Sequence, residues 1–211
     1  MTLTDIISRV RSVIRDSAGT FISDTEITEW ANEAQLELAV RMRLLQEEDT
    51  EADLTEGTNT ITTPATFLAQ SSLRIGTDDV EFVSDDVWNS WADSETTPDH
   101  TIARVFDDLI ELYPTPSSGF TYKLRYQRKP AVLINGSDTP EIPEHLHIKL
   151  LHYCRYNALL AMGELQQANT YIGLYEQGVG RKGLPDRKWM TTPGQMVVAR
   201  GPFDTDDASH F

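Results

Sequence analysis

Apolar residues recur with a helical period in two stretches near the start of the chain, residues 4–16 and 27–46. The apolar positions are Ile6, Val10, Val13 and Ile14 in the first stretch, and Ile27, Trp30, Ala31, Ala34, Leu38, Met42 and Leu45 in the second. Ser23 and Glu26 have the spacing of a capping box, in which each side chain bonds the other residue's backbone N–H. The pattern predicts two amphipathic helices, and the second runs to about Gln46.

A different pattern, short apolar stretches separated by turn residues, follows from Glu47 to about Thr139. Two sets of residues alternate most clearly near its end: Tyr122, Leu124 and Tyr126 form the apolar set, and Lys123, Arg125 and Gln127 form the polar set. Such alternation is typical of a strand with one buried face, and it places the polar set on the other face. The region is therefore predicted to be a β unit.

The stretch from Asp108 to Pro130 is predicted to form a β hairpin within this unit. Pro114 and Pro116 end its first strand because proline has no N–H to donate to a sheet. The sequence Ser-Ser-Gly at 117–119 then allows the chain to reverse. Earlier in the unit, Ser84 is a candidate cap for a helix of one or two turns.

Helical periodicity returns after Pro140 and Pro143, first over residues 144–165 and then in a fourth amphipathic helix. The apolar face of that fourth helix is formed by Leu165, Ala168, Ile172, Tyr175 and Val179. No regular period continues past Gly183, which predicts an extended arm with a polar tail.

Together these elements predict an α+β fold. Residues 1–48 and 140–182 are expected to form an antiparallel bundle of about four helices, since short connections favour antiparallel neighbours. Residues 49–139 are expected to form an inserted antiparallel β domain. Residues 183–211 are expected to form the extended C-terminal arm.

The chain is strongly acidic, with 33 acidic and 18 basic residues in 211 and a net charge of -15. This charge disfavours a surface that grips nucleic acid by neutralising phosphates, although it indicates solubility more than role. Cys154 is the only cysteine, which excludes an internal disulfide and a multi-cysteine zinc site. No stretch approaches 18 apolar residues and the start lacks a signal-peptide pattern, so we expect a soluble protein made inside the cell.

Two matches to ligand-binding motifs lack the required context. Gly178 to Gly183 matches GxGxxG, but a dinucleotide loop joins a strand to a helix, whereas here a helix precedes and Pro185 follows. A glycine-rich helix stop explains the match better. Asp204, Asp206 and Asp207 resemble the start of a calcium loop without its glycine and closing glutamate. We expect no cofactor.

Four potential metal ligands, His145, His147, His152 and Cys154, fall on one predicted helix. They divide between two faces of that helix and therefore do not converge on one ion. Cys154 lies mid-helix among apolar residues and is predicted to be a buried structural thiol. Adjacent acids occur at Asp78-Asp79, Asp85-Asp86 and Asp107-Asp108, where solvated turns are the ordinary explanation. We predict neither a metal site nor catalytic residues.

Basic and apolar residues gather at the start of the predicted arm. They are Arg181, Lys182, Arg187, Lys188, Trp189 and Met190, followed by Met196, Val197, Val198 and Phe203. In so acidic a chain this combination indicates docking to an acidic or apolar partner surface, on which such a segment can become ordered. Cations are also usual at a helix C-terminus, where they complement the helix dipole, and both interpretations stay open.

Four segments in this order carry a family resemblance: DIISRVRSVIRD, then EITEWANEAQLELAVRMR after its cap, then IELYPTP and YKLRYQRKP closing the β unit, then IPEHLHIKLLHYCRYNALLAMGELQQANTYIGLYEQGV. They resemble the bacteriophage head-tail adaptor (connector) proteins, and the length and large β insertion fit those of short-tailed phages. The resemblance covers Thr4 to about Lys182. Its motifs are patterns of residue type, not a catalytic signature.

The resemblance implies a structural virion protein at the head-tail junction, with no catalytic residues. It implies a homo-oligomeric ring, commonly of twelve copies, beneath the portal protein. Such a ring extends the DNA channel and presents a platform for tail, tail-fibre or nozzle proteins. An acidic lining would let DNA pass without adhering. By position, Arg181 to Phe203 corresponds to the portal-binding arm, with contacts from Trp189, Met190, Met196, Val198 and Phe203.

Two alternatives remain. The first is another neck component, such as a stopper or tail-completion protein. The second, with less support, is an enzyme, which requires a concave site with convergent, perturbed titratable groups.

Overall fold

The computed structural model describes residues 1–49, 52–92, 100–116 and 118–179, which form an α+β fold as predicted. The helices are α1 (Leu3–Ile14), α2 (Asp24–Met42), α3 (Asp85–Ala92), α4 (His147–Ala161) and α5 (Leu165–Val179), with a 3-10 turn at Glu144–Leu146 before α4. The strands are β1 (Gln46–Glu48), β2 (Ala52–Leu54), β3 (Thr60–Thr62), β4 (Phe67–Ile75), β5 (Asp78–Phe82), β6 (Ile102–Phe106), β7 (Leu109–Tyr113) and β8 (Phe120–Arg128).

Helices α1 and α2 both begin at capping boxes. In the predicted box, the Ser23 N–H donates to Glu26 Oε2 over 2.8 Å and the Glu26 N–H donates to Ser23 Oγ over 3.2 Å. Thr2 and Asp5 form a second box that the sequence analysis did not recognise. Each box satisfies N–H groups that a helix start leaves without partners.

Helix α2 ends at Met42, four residues before its predicted end. Arg43 and Leu45 have left-handed backbones, with φ of 51° and 59°, a conformation that stops a helix. The next residues, Gln46–Glu48, form β1 and pair with β8. The apolar period continues through Leu45 in sequence, but the chain has already left the helix.

The eight strands form one mixed sheet. Their order is β1-β8-β4-β5-β6-β7-β3, and β2 also pairs with β8. The pair β5–β6 is parallel, with Glu81 opposite Ile102, so the prediction of a wholly antiparallel unit is wrong at this pair. The cause is the crossover that contains α3, because a long connection brings the chain back in the same direction, which a tight turn cannot do.

The predicted hairpin from Asp108 to Pro130 is wrong in its pairing. Strands β7 and β8 occupy this stretch, and β7 ends just before Pro114 as expected. However, β7 pairs with β6 and β3, while β8 pairs with β4, β1 and β2. Tight turns occur instead at Gly76 (φ 59°), between β4 and β5, and at Asp107 (φ 55°), between β6 and β7.

Strand β8 follows the predicted alternation except at one residue. Leu124 and Tyr126 are buried and Arg125 is exposed, as expected. Gln127 was expected on the outer face but is only 3% exposed, and its side-chain amide donates to the Ala39 carbonyl oxygen of α2. The C-terminal part of helix α2 meets the strand at this residue, and the hydrogen bond makes burial of the amide tolerable.

The described residues contain two main hydrophobic cores. Helices α1, α2, α4 and α5 share the first core, and α4 packs against the other three. The second core lies on the sheet and includes Leu73, Ile110 and Leu124. Helix α3 belongs to neither, since Trp88 packs with Val83 and Ile102 in a small separate cluster. The four bundle helices are therefore those that the sequence predicts, and α3 is the fifth.

Asp16 organises the connection between α1 and α2. Its carboxylate accepts backbone N–H groups of Thr20 (2.8 Å), Phe21 (3.0 Å) and Ile22 (3.2 Å), and Arg11 lies 3.6 Å away. Burial opposes ionisation of this carboxyl, but the three N–H donors and Arg11 together hold the pKa of Asp16 below its ordinary value. The charged form therefore stabilises the fold.

We predict that Asp16→Asn lowers the free energy of unfolding at neutral pH. Because the pKa of Asp16 is lower in the folded than in the unfolded state, its stabilisation is complete above about pH 5 and is lost as pH falls through the folded pKa. The gap between wild type and variant should therefore narrow as pH falls below about 4. Urea unfolding across pH measures the gap, and Asp108→Asn in the exposed β6–β7 turn is the control. A gap that does not change with pH would contradict the assignment.

Candidate interaction site

Amide side chains of α2 hold the return segment, residues 131–138, which leads from β8 back to the bundle. Asn32 Nδ2 donates to the Leu133 carbonyl oxygen over 3.1 Å, and the Leu133 N–H donates to Asn32 Oδ1 over 2.8 Å. One turn along, Gln35 Nε2 donates to the Ala131 carbonyl oxygen over 2.6 Å. Asn32 thus bonds both backbone groups of one residue, as a neighbouring strand would.

The start of α1 fixes the other end of the return segment. The Leu3 N–H donates to the Asp138 carbonyl oxygen over 2.8 Å, and the Thr4 N–H donates to the Gly136 carbonyl oxygen over 3.0 Å. Thr4 Oγ1 donates to the same Gly136 oxygen over 2.9 Å. A Cβ at position 136 would collide with Thr4 Oγ1, so this approach requires glycine. Residues 136 and 137 form a turn, in agreement with the turn preference of an Asn-Gly pair.

The Asp138 side chain stabilises the turn by accepting hydrogen bonds from the backbone of its first residues. Its Oδ2 accepts the N–H groups of Ile134 (2.8 Å) and Asn135 (2.7 Å). These two backbone donors lower the pKa of Asp138. The carboxylate is therefore charged at neutral pH and keeps the turn closed.

This anchoring displays two large apolar side chains to solvent. Leu133 is 3% exposed in the bundle core, but its neighbours Val132 and Ile134 are 65% and 75% exposed. Beside them lies an open groove of about 600 Å³, which we call the α1–α2 groove. Its other walls include Ile7 of α1 and Thr28 of α2. Exposed apolar residues on a fixed backbone beside a groove are typical of an interaction site.

The rim of the α1–α2 groove carries two carboxylates, of which one is paired with a cation and one, within the described ranges, is not. Asp24 lies on the rim and is paired with Arg11, whose Nε is 3.1 Å from Asp24 Oδ1. Glu29, one turn further along α2, is exposed and forms no ion pair with any residue that the structure describes. The groove therefore suits a partner that combines apolar with basic side chains.

The four potential metal ligands do not converge. His145 is exposed, whereas buried His147 has its Nε2 at 2.9 Å from the Ile142 carbonyl oxygen. His152 lies against Tyr171 of α5, and burial, with a smaller contribution from nearby cations, lowers its pKa. Cys154 is 0% exposed in the bundle core, and burial raises the pKa of its thiol. No group of three side chains able to hold a metal ion is found among the described residues.

The adjacent acidic pairs lie at three separate places. Asp78-Asp79 lies at the β4–β5 turn, Asp85-Asp86 in the first turn of α3, and Asp107-Asp108 at the β6–β7 turn. Asp79 pairs with Arg74 over 3.3 Å, and Asp85 pairs with Arg104 over 3.3 Å. These contacts are local ion pairs.

The predicted arm residues lie outside the described residues. They are Arg181, Lys182, Arg187, Lys188, Trp189, Met190, Met196, Val197, Val198 and Phe203. Their assignment to partner binding therefore stays a prediction.

A comparison with known protein families finds a match to the SU10 adaptor protein over residues 1–198. The match covers the helices, the sheet and most of the predicted arm. The chain belongs to this family of phage head-tail adaptors. The resemblance drawn from the four sequence segments is confirmed. A search of curated proteins finds no match.

Family membership indicates that this adaptor is a structural component of a phage virion. Among the residues that the structure describes, no helix is long and apolar enough to cross a membrane. The adaptor exposes a second apolar surface where α4 turns into α5, formed by Leu160, Met162 and Leu165. Leu165 was predicted on the packed face of α5, but it is 60% exposed because it begins the helix beyond the reach of the core.

The tethering amides Asn32 and Gln35 were not among the residues predicted to be functional. Gln35 carries a usable signal, because it lies among the apolar positions Ala31, Ala34 and Leu38 of α2 and is 1% exposed. A glutamine inside an apolar face needs a hydrogen-bond partner. Only the structure shows that the partner is the return segment of the adaptor.

We predict that Asn32→Ala destabilises the adaptor by about 1–3 kcal/mol, because it leaves the Leu133 backbone groups without their partners. Amide exchange should also speed up at residues 131–136. Chemical denaturation and hydrogen-exchange mass spectrometry measure the two effects. Glu29→Ala, one turn earlier on α2, is the matched control and should change stability by no more than about 0.5 kcal/mol. Equal behaviour of the two variants would show that the tether is not energetically important.

Proposed function

We propose that this chain is the head-to-tail adaptor that forms a ring beneath the portal protein, extends the DNA channel and provides the platform for tail attachment. The observation that carries the proposal is the family match over residues 1–198. The ring is proposed to contain twelve copies. It sits at the head-tail junction, with the portal on one side and tail, tail-fibre or nozzle proteins on the other.

The charge of the chain supports passage of DNA through such a ring. With a net charge of -15, a lining built from this surface repels phosphates and gives DNA no counterion-release gain on contact. DNA therefore passes without sequence-specific binding. The lining of the ring acts on the DNA only through its shape and its charge, and this requires no catalytic group.

The fold supports a division of labour within the subunit. The bundle has its own core, in which α4 contacts the other three helices, and it supplies a rigid wall element. The sheet has a separate core and is joined to the bundle through α2, so it supplies a second rigid body for contacts with neighbouring subunits or tail proteins.

The segment from Arg181 to Phe203 is proposed to be the portal-binding arm. Its cations provide electrostatic attraction to an acidic partner surface, and its apolar side chains provide buried anchors. The anchors are Trp189, Met190, Met196, Val198 and Phe203. An arm of this kind gains affinity by covering a long stretch of the partner.

Size-exclusion chromatography with light scattering tests the proposal directly. Full-length adaptor is mixed with the portal protein, and a chain that ends after Lys182 is run in parallel. A ring that forms on the portal with the full-length chain but not with the truncated chain is expected. If the full-length chain binds a tail tube and not the portal, the protein is another neck component, such as a stopper.

A matched pair of phenylalanines tests the arm at residue level. We predict that Phe203→Ala weakens portal binding by about tenfold or more, because truncating an aromatic hot-spot residue costs about 2 kcal/mol or more. Phe211→Ala removes the same side chain outside the proposed contact segment and should leave affinity unchanged. Biolayer interferometry with immobilised portal measures both. An equal loss for both variants would place the contact elsewhere or point to a general effect of the tail.

A further inference from the structure

The chain has a strong internal charge asymmetry. Residues 181–203 contain five basic residues and one acidic residue, a net charge of about +4. Residues 1–180 contain 29 acidic and 13 basic residues, a net charge of about -16, and residues 204–211 add three further acidic residues. A basic segment tethered to so acidic a body is attracted to it at low and moderate ionic strength.

The α1–α2 groove matches the composition of that segment. Val132 and Ile134 present apolar surface beside the groove, and Glu29 on its rim has no ion-pair partner in the described part of the chain. A volume of about 600 Å³ accommodates an indole together with a neighbouring methionine side chain. In the segment, the pair Trp189-Met190 follows directly after Arg187-Lys188, so apolar and basic groups occur side by side.

The end of α5 packs on the face of α2 opposite the groove, where Glu176 pairs with Arg41 over 3.0 Å, so a chain that continues from α5 has to pass around α2 to reach the groove. Lys149 Nζ, in the first turn of α4, donates to the Leu174 carbonyl oxygen over 2.6 Å. Val179, at the end of α5, therefore lies near the start of α4, which follows the return segment in the chain. Ten further residues reach Trp189 and span up to about 33 Å when extended.

We propose that residues 181–203 of the chain dock in the α1–α2 groove of the same molecule when no partner is bound. Trp189 and Met190 pack against Val132 and Ile134, and the adjacent cations face the carboxylates of the rim. Docking covers two apolar surfaces at once. A partner that binds this segment, including the portal if the proposed function is correct, must first displace it from the groove. The docking itself does not depend on the identity of that partner.

Hydrogen-exchange mass spectrometry on the full-length chain tests this inference. In the wild type, residues 181–203 should exchange about tenfold more slowly than their intrinsic rates. Ile134→Arg places a positive charge in the groove, which repels the basic segment and should abolish this protection. Because residue 134 is already 75% exposed, the change should not unfold the bundle. Phe21→Arg is the matched control, because Phe21 is also 75% exposed but does not line the groove. The control should keep the protection.

Each outcome decides the question. Intrinsic exchange rates in the wild-type segment, or protection that survives Ile134→Arg, would overturn the proposal.

Light scattering across a concentration series shows whether the docked segment belongs to the same molecule or to a second copy. Protection that is constant on dilution of a monomer supports docking within one molecule. Protection that disappears together with a dimer on dilution would overturn it in favour of a second copy. Because no portal is present in these experiments, a negative result would count against docking in the groove and would leave the proposed portal binding untested.

Discussion

The fold depends on a row of amide hydrogen bonds along α2. The chain leaves this helix at Met42, builds the whole sheet, and returns along the helix that it left. Gln127 bonds the Ala39 carbonyl oxygen, Gln35 bonds the Ala131 carbonyl oxygen, and Asn32 bonds both backbone groups of Leu133. Exit and return are thus held side by side, which offsets the entropy of closing so long an insertion. The ion pair between Arg128 of β8 and Glu141, at 2.6 Å, adds a further contact at this junction.

The same row explains how one chain carries two cores without giving up a defined relation between them. Amide hydrogen bonds are directional, so they fix position as well as proximity. In the proposed ring, each subunit has to hold a fixed position between the portal and the tail proteins, and apolar packing alone tolerates small slippage. The polar contacts between α2 and the return segment give the two parts a fixed register.

Local patterns in the sequence predicted local structure well. The helical period located α1, α2, α4 and α5, and the spacing of Ser23 and Glu26 located a helix start that the structure confirms. The strand alternation around Leu124 was also correct. Pairing between strands was not predicted, because β7 and β8 are adjacent in sequence and yet lie at different positions in the sheet. Partner choice depends on the whole set of strands, and no short stretch contains that information.

In the candidate site, too, local features could be predicted from the sequence, whereas features that depend on distant residues could not. The turn at Asn135-Gly136 follows from its sequence, but the exposure of Val132 and Ile134 depends on a tether from Asn32 to Leu133, residues that lie 101 positions apart in the chain. Exposed apolar residues in a polar stretch look like ordinary loop positions until the backbone around them is known to be fixed. The arm residues were predicted from the basic and apolar composition of residues 181–203, and composition does not show where these side chains lie.

The burial of Cys154 makes the rate of modification of its thiol a measure of how often the bundle opens. Only a thiolate reacts with alkylating reagents, and this thiol is sealed among the helices that surround α4. Its rate of modification therefore reports how often the bundle opens, while motions confined to the sheet leave it untouched. Because Cys154 is the only thiol in the chain and lies in the bundle core, its modification reports opening of that core separately from opening of the sheet core.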